Sequence, residues 1–212
     1  MDYDFIIIGT GPSGSVVGSN LAKKGYKIAM VDRATNIKKN SDTNSFIFSP
    51  YIKKSPFNYT PLFSNQLGGN SALWHNKIYL LSKKEFNTEN WGFNYNELKK
   101  NSKDLSKKLK LDHKKINHTF IKDKFNYSKS LRATKLGNLF HYLNINSFNN
   151  IDIFTHSSPI KIIFDKTNNA KKLIIKNLTK KEKITLKVTK SIIFCAGGLG
   201  NPNILQNLLK DY

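Results

Sequence analysis

Phe5-Ile6-Ile7-Ile8, an apolar run of the kind a strand buried on both faces requires, passes directly into Gly9-Thr10-Gly11-Pro12-Ser13-Gly14. Ser15 to Lys24 then reads as a helix with Val16, Val17, Leu21 and Ala22 as its apolar face, and Gly25 ends it. Tyr26 to Val31 is a second apolar strand that closes on Asp32. Strand, glycines, helix and strand in this order form a βαβ unit, with the glycines where a dinucleotide-binding turn needs them. Gly9 permits the tight strand-to-helix turn, Gly11 leaves room for a pyrophosphate against the backbone, and Gly14 lets helix and strand pack closely. The N–H groups at the helix start, and the positive end of its dipole, would meet the phosphates. Asp32, roughly eighteen residues beyond Gly14, is placed to accept hydrogen bonds from ribose hydroxyls. Pro12 and Ser13 within the turn, and Arg33 beside the acid, are counted with the same candidate site.

The 212 residues suffice for one core, or for one domain carrying an insertion. A formal net charge of +21 raises the question of a nucleic-acid or anionic-membrane partner. The basic residues argue against it. They are almost all lysine, spread from Lys23 to Lys210, with arginine only at Arg33 and Arg132, whereas groove and phosphate readers favour the arginine fork. The lysines accompany many asparagines and isoleucines, the signature of an AT-rich genome. The charge therefore reads as a solvated surface that can also draw in an anionic cofactor, and no nucleic-acid partner is expected. The one cysteine, Cys195, lies in an apolar run; it excludes a disulfide framework and a thiolate metal site and reads as a buried, inert thiol. No metal site is expected. No apolar run approaches transmembrane length, and Asp2 and Asp4 stand where a leader would be basic, so a soluble cytoplasmic protein is expected.

From Ala34 to about Gln66 the pattern loosens into an irregular excursion broken by Pro50, Pro56 and Pro61. Leu67-Gly68-Gly69-Asn70-Ser71-Ala72-Leu73-Trp74-His75-Asn76 follows, with two adjacent glycines and small polar groups ahead of a strand from Lys77 to Leu81. Asn94 or Asn96 can cap a helix carrying Leu98, Leu105 and Leu109 near one face, and Leu131 to Leu143 reads as a further short helix. From Ile151 the period changes to two. Ile151–Phe154, Ile160–Phe164, Lys171–Ile175 and Ile184–Val188 read as four strands, and Ser191–Ala196 as a fully buried fifth. This last strand enters Gly197-Gly198-Leu199-Gly200-Asn201-Pro202 and an amphipathic helix, Asn203 to Leu209. Two strand–glycine–helix junctions, one near each end, predict an α/β fold in which residues 1–34 and about 151–212 build one Rossmann-like nucleotide domain. The residues between, about 35–150, form a long, partly helical insertion.

These four stretches resemble the N-terminal part of the glucose–methanol–choline (GMC) flavoprotein oxidoreductases. Asp4–Arg33 is similar to the family's FAD fingerprint and Leu67–Asn76 to its Gly-Gly-x-Ser signature. Trp91–Leu98 is similar to the W-P-x-x-x-x-x-L segment that follows, and Ile192–Leu205 to the closing AAG-x-x-x-x-P-x-L-L strand and helix. The resemblance covers about three-quarters of the chain and is poorest over 112–150. It implies FAD as cofactor, with Gly9, Gly11 and Gly14 cradling the pyrophosphate and Asp32 holding the adenosine ribose. By the same resemblance Gly68, Gly69, Asn70 and Ser71 would lie along the pyrophosphate and isoalloxazine. Ile160 would touch the adenine through its backbone, and Ala196 and Gly197 would close the fold near the cofactor.

The sequence departs from the family in four places. Asp32 replaces the usual glutamate, and Trp74 stands where many members have asparagine, which is closer to the sugar- and aldonate-oxidising branch of pyranose oxidase and gluconate dehydrogenase. Leu73 occupies the position of the histidine that carries a covalent flavin in some of those relatives, so non-covalent FAD is expected. The family's catalytic histidine belongs to a substrate domain beyond Tyr212, and His75, His113, His118, His141 and His156 match no catalytic motif, so no catalytic residue is assigned. The resemblance thus implies the FAD-binding portion of an enzyme that oxidises CH–OH groups of alcohols or sugars, lacking its C-terminal half. It could be truncated, or one piece of a split enzyme. The alternatives are a non-catalytic nucleotide-binding remnant or partner subunit, an NAD-dependent dehydrogenase, which Asp32 would allow, and a basic nucleic-acid binder.

Overall fold

The computed structural model describes residues 1–34, 46–48, 62–64, 66–72, 77–79, 81, 83–87, 91–112, 130–133 and 136–210. The chain divides into two compact units, Met1–Leu73 with Asn138–Tyr212, and Trp74–Gly137. In chain order the elements are β1 (Asp2–Ile8), α1 (Pro12–Lys23), β2 (Ile28–Val31), β3 (Phe46–Phe48), β4 (Leu62–Ser64) and a 3-10 turn at Gly69–Ala72. The second unit holds β5 (Lys77–Tyr79), α2 (Lys83–Phe86), α3 (Tyr95–Lys108), β6 (Leu111–Asp112) and β7 (Ser130–Ala133). The first unit resumes with α4 (Leu139–Tyr142), a 3-10 turn at Ile145–Ser147, β8 (Ile151–Phe154), β9 (Ser157–Phe164), β10 (Ala170–Asn177), β11 (Lys183–Phe194) and α5 (Gly197–Leu208).

Six strands form the sheet of the first unit in the order β8-β2-β1-β11-β10-β9. The first four run parallel, and β10 and β9 add an antiparallel meander. The apolar runs fill both faces by simple alternation. Ile6, Ile8, Ala29 and Val31 join Leu173, Ile175, Leu186, Val188 and Leu208 on one side, while Ile7, Ile28 and Met30 join Ala22, Phe140, Ile145 and Ile151 on the other. Each fully buried isoleucine contributes about 1.5–3 kcal/mol from area removed from water.

Three local expectations change. Helix α1 buries Gly14, Ser15, Gly18, Ser19 and Ala22, while Val16, Val17 and Leu21 lie at the margin of its contact. The helix lies close enough to the sheet that a methyl group at Gly18 would sit 3.2 Å from the Met30 sulfur, so small residues occupy the contact line and the valines flank it. The two strands expected at Ile184–Val188 and Ser191–Ala196 are one twelve-residue strand, β11. Its first half pairs antiparallel with β10 and its second half parallel with β1, with Lys187 paired to both Lys172 and Asp2. Residues 131–143 are not one helix. Ser130–Ala133 pairs with Lys77–Tyr79, and α4 begins only after Gly137 (φ +52°) and the Asn138 cap.

In the second unit, α3 starts at a reciprocal capping box: the Asn94 side chain accepts from the Glu97 N–H, and the Glu97 carboxylate accepts from the Asn94 N–H, both at 3.0 Å. Phe86 is buried among Trp91, Phe93 and Tyr95, with ring centroids 5.6–6.1 Å apart. No helix among the described residues is long and apolar enough to cross a membrane, and none of their His, Cys, Asp and Glu side chains cluster as a metal site.

Candidate functional site

Because β1 and β11 are adjacent and parallel, the two glycine turns at their carboxyl ends lie side by side, where open α/β sheets bind ligands. Gly9 turns the chain at φ +100°, and a Cβ there would stand 2.6 Å from the Cys195 carbonyl oxygen, so the first turn has no room for a side chain where it crosses the second. From this edge α1 and α5 both depart with their N-termini at the same cleft, of about 550 Å³. Neither helix has a side-chain cap at its first turn; Gly11 and Ala196 occupy the cap positions. The N–H groups that such caps would satisfy are therefore offered to a ligand, and two positive dipole ends favour an anionic one.

Most residues expected at the site border this cleft: Gly9, Gly11, Pro12 and Ser13 on the first turn, Asp32 and Arg33 at the end of β2, Gly69 and Asn70 after β4, and Ala196 and Gly197 at the start of α5. Gly11 is the open part of the cradle, since a Cβ built on it would find its nearest neighbour, the Cys195 oxygen, only 3.9 Å away. Gly69 backs onto Gly11, its own Cβ position lying 3.2 Å from the Gly11 Cα. The glycine backbone thus forms a wall without side chains, as a pyrophosphate against main-chain N–H groups requires.

Four expected residues do not border the cleft. Gly14 is buried against the Gly9 carbonyl and the Cys195 side chain. Gly68 (φ +90°) and Ser71 are buried behind Gly69 and Asn70. A side chain at Gly68 would collide with Asn138, and the Ser71 hydroxyl donates to the Gly68 carbonyl (2.6 Å) while accepting from the Leu139 N–H (3.1 Å). Ser71 therefore spends its one donor and an acceptor site on the fold. Ile160 sits at a bulge, where Ile175 pairs with Pro159 and Ile174 with Lys161, and its side chain is turned out and exposed. The cleft meets that strand at Ser157, Ser158 and Pro159 instead.

The Asp32 carboxylate is held by its own surroundings. One oxygen accepts from both the N–H and the hydroxyl of Thr10, each at 2.6 Å, and the other accepts from the Ala34 N–H at 2.9 Å. Thr10 is fully buried. Its hydroxyl also accepts from the Gly68 N–H (3.1 Å) and its carbonyl from the Ser15 hydroxyl (2.7 Å). Thr10 carries no signal in the sequence, because the spacing of the glycines on either side of it asks nothing of its side chain. Sequence reasoning also passed over Asn203 and Asn207, four apart on α5, which border the far wall and are joined by a 2.9 Å bond from the Asn207 amide to the Asn203 carbonyl. Asn201 was equally silent: its side chain accepts from the Ala196 N–H at 2.8 Å and so tightens the turn into α5.

That helix begins at Gly197, six residues earlier than the amphipathic pattern indicated, and takes the whole glycine run into its first turns with Pro202 inside it. Cys195 is half-buried and borders the cleft; burial raises its thiol pKa, which disfavours the reactive thiolate. His156 occupies the left-handed turn between β8 and β9 (φ 50°), its N–H bonded to the Ala34 carbonyl. The expectations for Leu73, Trp74, His75, His113 and His118 fall outside the described residues.

No protein-family model matches the chain. A cholesterol oxidase of Acinetobacter baumannii is 31% identical in a 90-residue alignment that covers 36% of this chain and 16% of that protein. Two structures of formate oxidase match 97% of this chain and 47% of their own, at 12% identity, with TM-scores of 0.63 and 0.56; the second, from Aspergillus oryzae, was solved to follow modification of its FAD. A fungal aryl-alcohol oxidase matches 98% of this chain and 48% of its own, with a TM-score of 0.61 at 15% identity. The chain spans about half the length of these structures. At such identities the likeness is one of fold: the chain shares the fold of about half of each of these oxidase structures.

Proposed function

We propose that this chain is the FAD-binding portion of a flavin-dependent oxidoreductase acting on CH–OH groups of alcohols or sugars. The observation that carries the reading is the convergence of two uncapped helix N-termini on one glycine-walled cleft that ends at a carboxylate. A dinucleotide has this charge order, with a pyrophosphate in the middle and a ribose diol to one side. The residues fit FAD: Gly11, Gly69 and Gly197 offer backbone where the pyrophosphate would lie, Ser13 adds a hydroxyl, and Asp32 would accept from the ribose. Bound flavin would supply the redox chemistry, accepting hydride from the alcohol carbon. The chain's own part is to hold the cofactor, orient it, and surround its phosphates with fixed dipoles. Binding is non-covalent in this reading, and the catalytic base, the alcohol or sugar substrate and any completing second half lie outside the residues assigned here.

The test is the visible spectrum of the purified chain after FAD addition and desalting. Flavin bands that survive desalting, are released on denaturation, and are lost in Gly11→Val would support the reading. Failure of the wild-type chain to retain or bind flavin would overturn it. Bound flavin that no alcohol or sugar reduces, with or without a second chain, would favour the non-catalytic remnant.

A further inference from the structure

We propose that Thr10 is a positioning residue of the nucleotide site: its hydroxyl orients the Asp32 carboxylate for the ribose and docks the Gly68 turn on the fingerprint, so that both walls form as one unit. The inference rests on the FAD-binding reading above. A carboxylate has about four acceptor sites. At Asp32, a residue that borders the cleft, the two Thr10 donors occupy one oxygen and the Ala34 N–H takes a site on the other, which leaves about one site, on Oδ1. The acid can then meet a ribose hydroxyl in one orientation only, and Thr10 sets that orientation. The same hydroxyl accepts the Gly68 N–H across 58 positions of sequence, directly behind Gly69, whose backbone lies against Gly11. With no exposed surface at Thr10, water cannot replace either bond.

Thr10→Val keeps the shape and removes the hydroxyl, whereas Thr10→Ser keeps it. Affinities for ADP and 2′-deoxy-ADP are measured by calorimetry on the wild-type chain and both variants, with circular dichroism and a melt for each. The wild-type chain is expected to prefer ADP by about tenfold, the worth of a hydrogen bond to a charged group. That preference should collapse to about twofold or less in Thr10→Val and survive in Thr10→Ser. A purely structural threonine would weaken both ligands alike and leave their ratio intact. An unchanged ratio in Thr10→Val, or a lost one in Thr10→Ser, overturns the proposal; the serine variant decides it if the valine variant does not fold. Equal affinity of the wild-type chain for both ligands removes the Asp32–ribose contact and this inference with it, but leaves the pyrophosphate cradle standing. No ADP binding by the wild-type chain overturns the nucleotide reading as well.

Discussion

A side chain at Gly14 would run into the carbonyl oxygen of Gly9. The last residue of the fingerprint thus serves the approach of helix to strand, with main chain on one side and the Cys195 Cβ 3.3 Å away on the other. Neither neighbour can rotate aside. Gly14→Ala is therefore expected to destabilise the chain by roughly 2 kcal/mol, within the range of overpacking effects, as read from a denaturant midpoint. A midpoint equal to the wild type would mean that the helix can lift off at no cost.

Gly11 predicts the opposite pattern. Its φ of −57° is one that any L-residue can adopt, and a methyl group would point into open cleft. Gly11→Ala should melt within about 0.5 kcal/mol of the wild type, as substitutions outside packed sites do. It should nevertheless lose retained flavin, because the methyl takes the space meant for the phosphates. Comparing spectrum and melt for the two glycine variants separates binding from folding.

Cys195 offers a probe that needs no mutation, since it is the chain's one cysteine. Burial raises its pKa, so less thiolate is present at a given pH than in a free thiol, and alkylation by iodoacetamide at about pH 8 should be slow. Because the residue borders the cleft, saturating FAD should slow it further. Labelling at the same rate with and without FAD would place the ligand elsewhere.

In the β9–β10 turn, the Asp165 carboxylate accepts from the Thr167 hydroxyl (2.7 Å), the Thr167 N–H and the Asn169 N–H (both 2.9 Å). These bonds, the Thr167 hydroxyl first, hold its pKa down at about 2. A depressed pKa in the folded state stabilises at pH values above the unfolded pKa, near 4, and that contribution fades as pH falls through the folded value. The stability gap between the wild type and Asp165→Ala should therefore be constant above about pH 5 and shrink between about pH 4 and about pH 2. A gap that persists unchanged to the acid end would assign the effect of the mutation to the turn's backbone.

Local pattern read best where the backbone had few options. Gly9 at φ +100° and Gly25 at φ +85° stand at turns that a glycine signals by itself, and the alternation Ile6, Ile7, Ile8 names both faces of β1 in advance. It failed where a neighbour decides. Of the expected apolar face of α1, Ala22 is buried and Val17 and Leu21 pack partly against the core, but the nearness of Met30 gives the contact line to Gly18 and Ser19. Leu131 carries a helical pattern yet pairs with Ile78 in a strand.

The candidate site divides the same way. From sequence alone came the βαβ unit, the glycines at both strand ends and the acid after β2, because each follows from chain period and from where a Cβ can or cannot be carried. Only the tertiary structure decided which of those groups border the cleft and which support it from behind. Ser71 is enclosed by Gly68 and Leu139, and Thr10 joins Asp32 to a turn 58 residues further on. The reason is physical. A residue's conformational range is a local property, whereas the partner that takes its hydrogen bond is supplied by a distant stretch that only the fold brings within hydrogen-bonding distance.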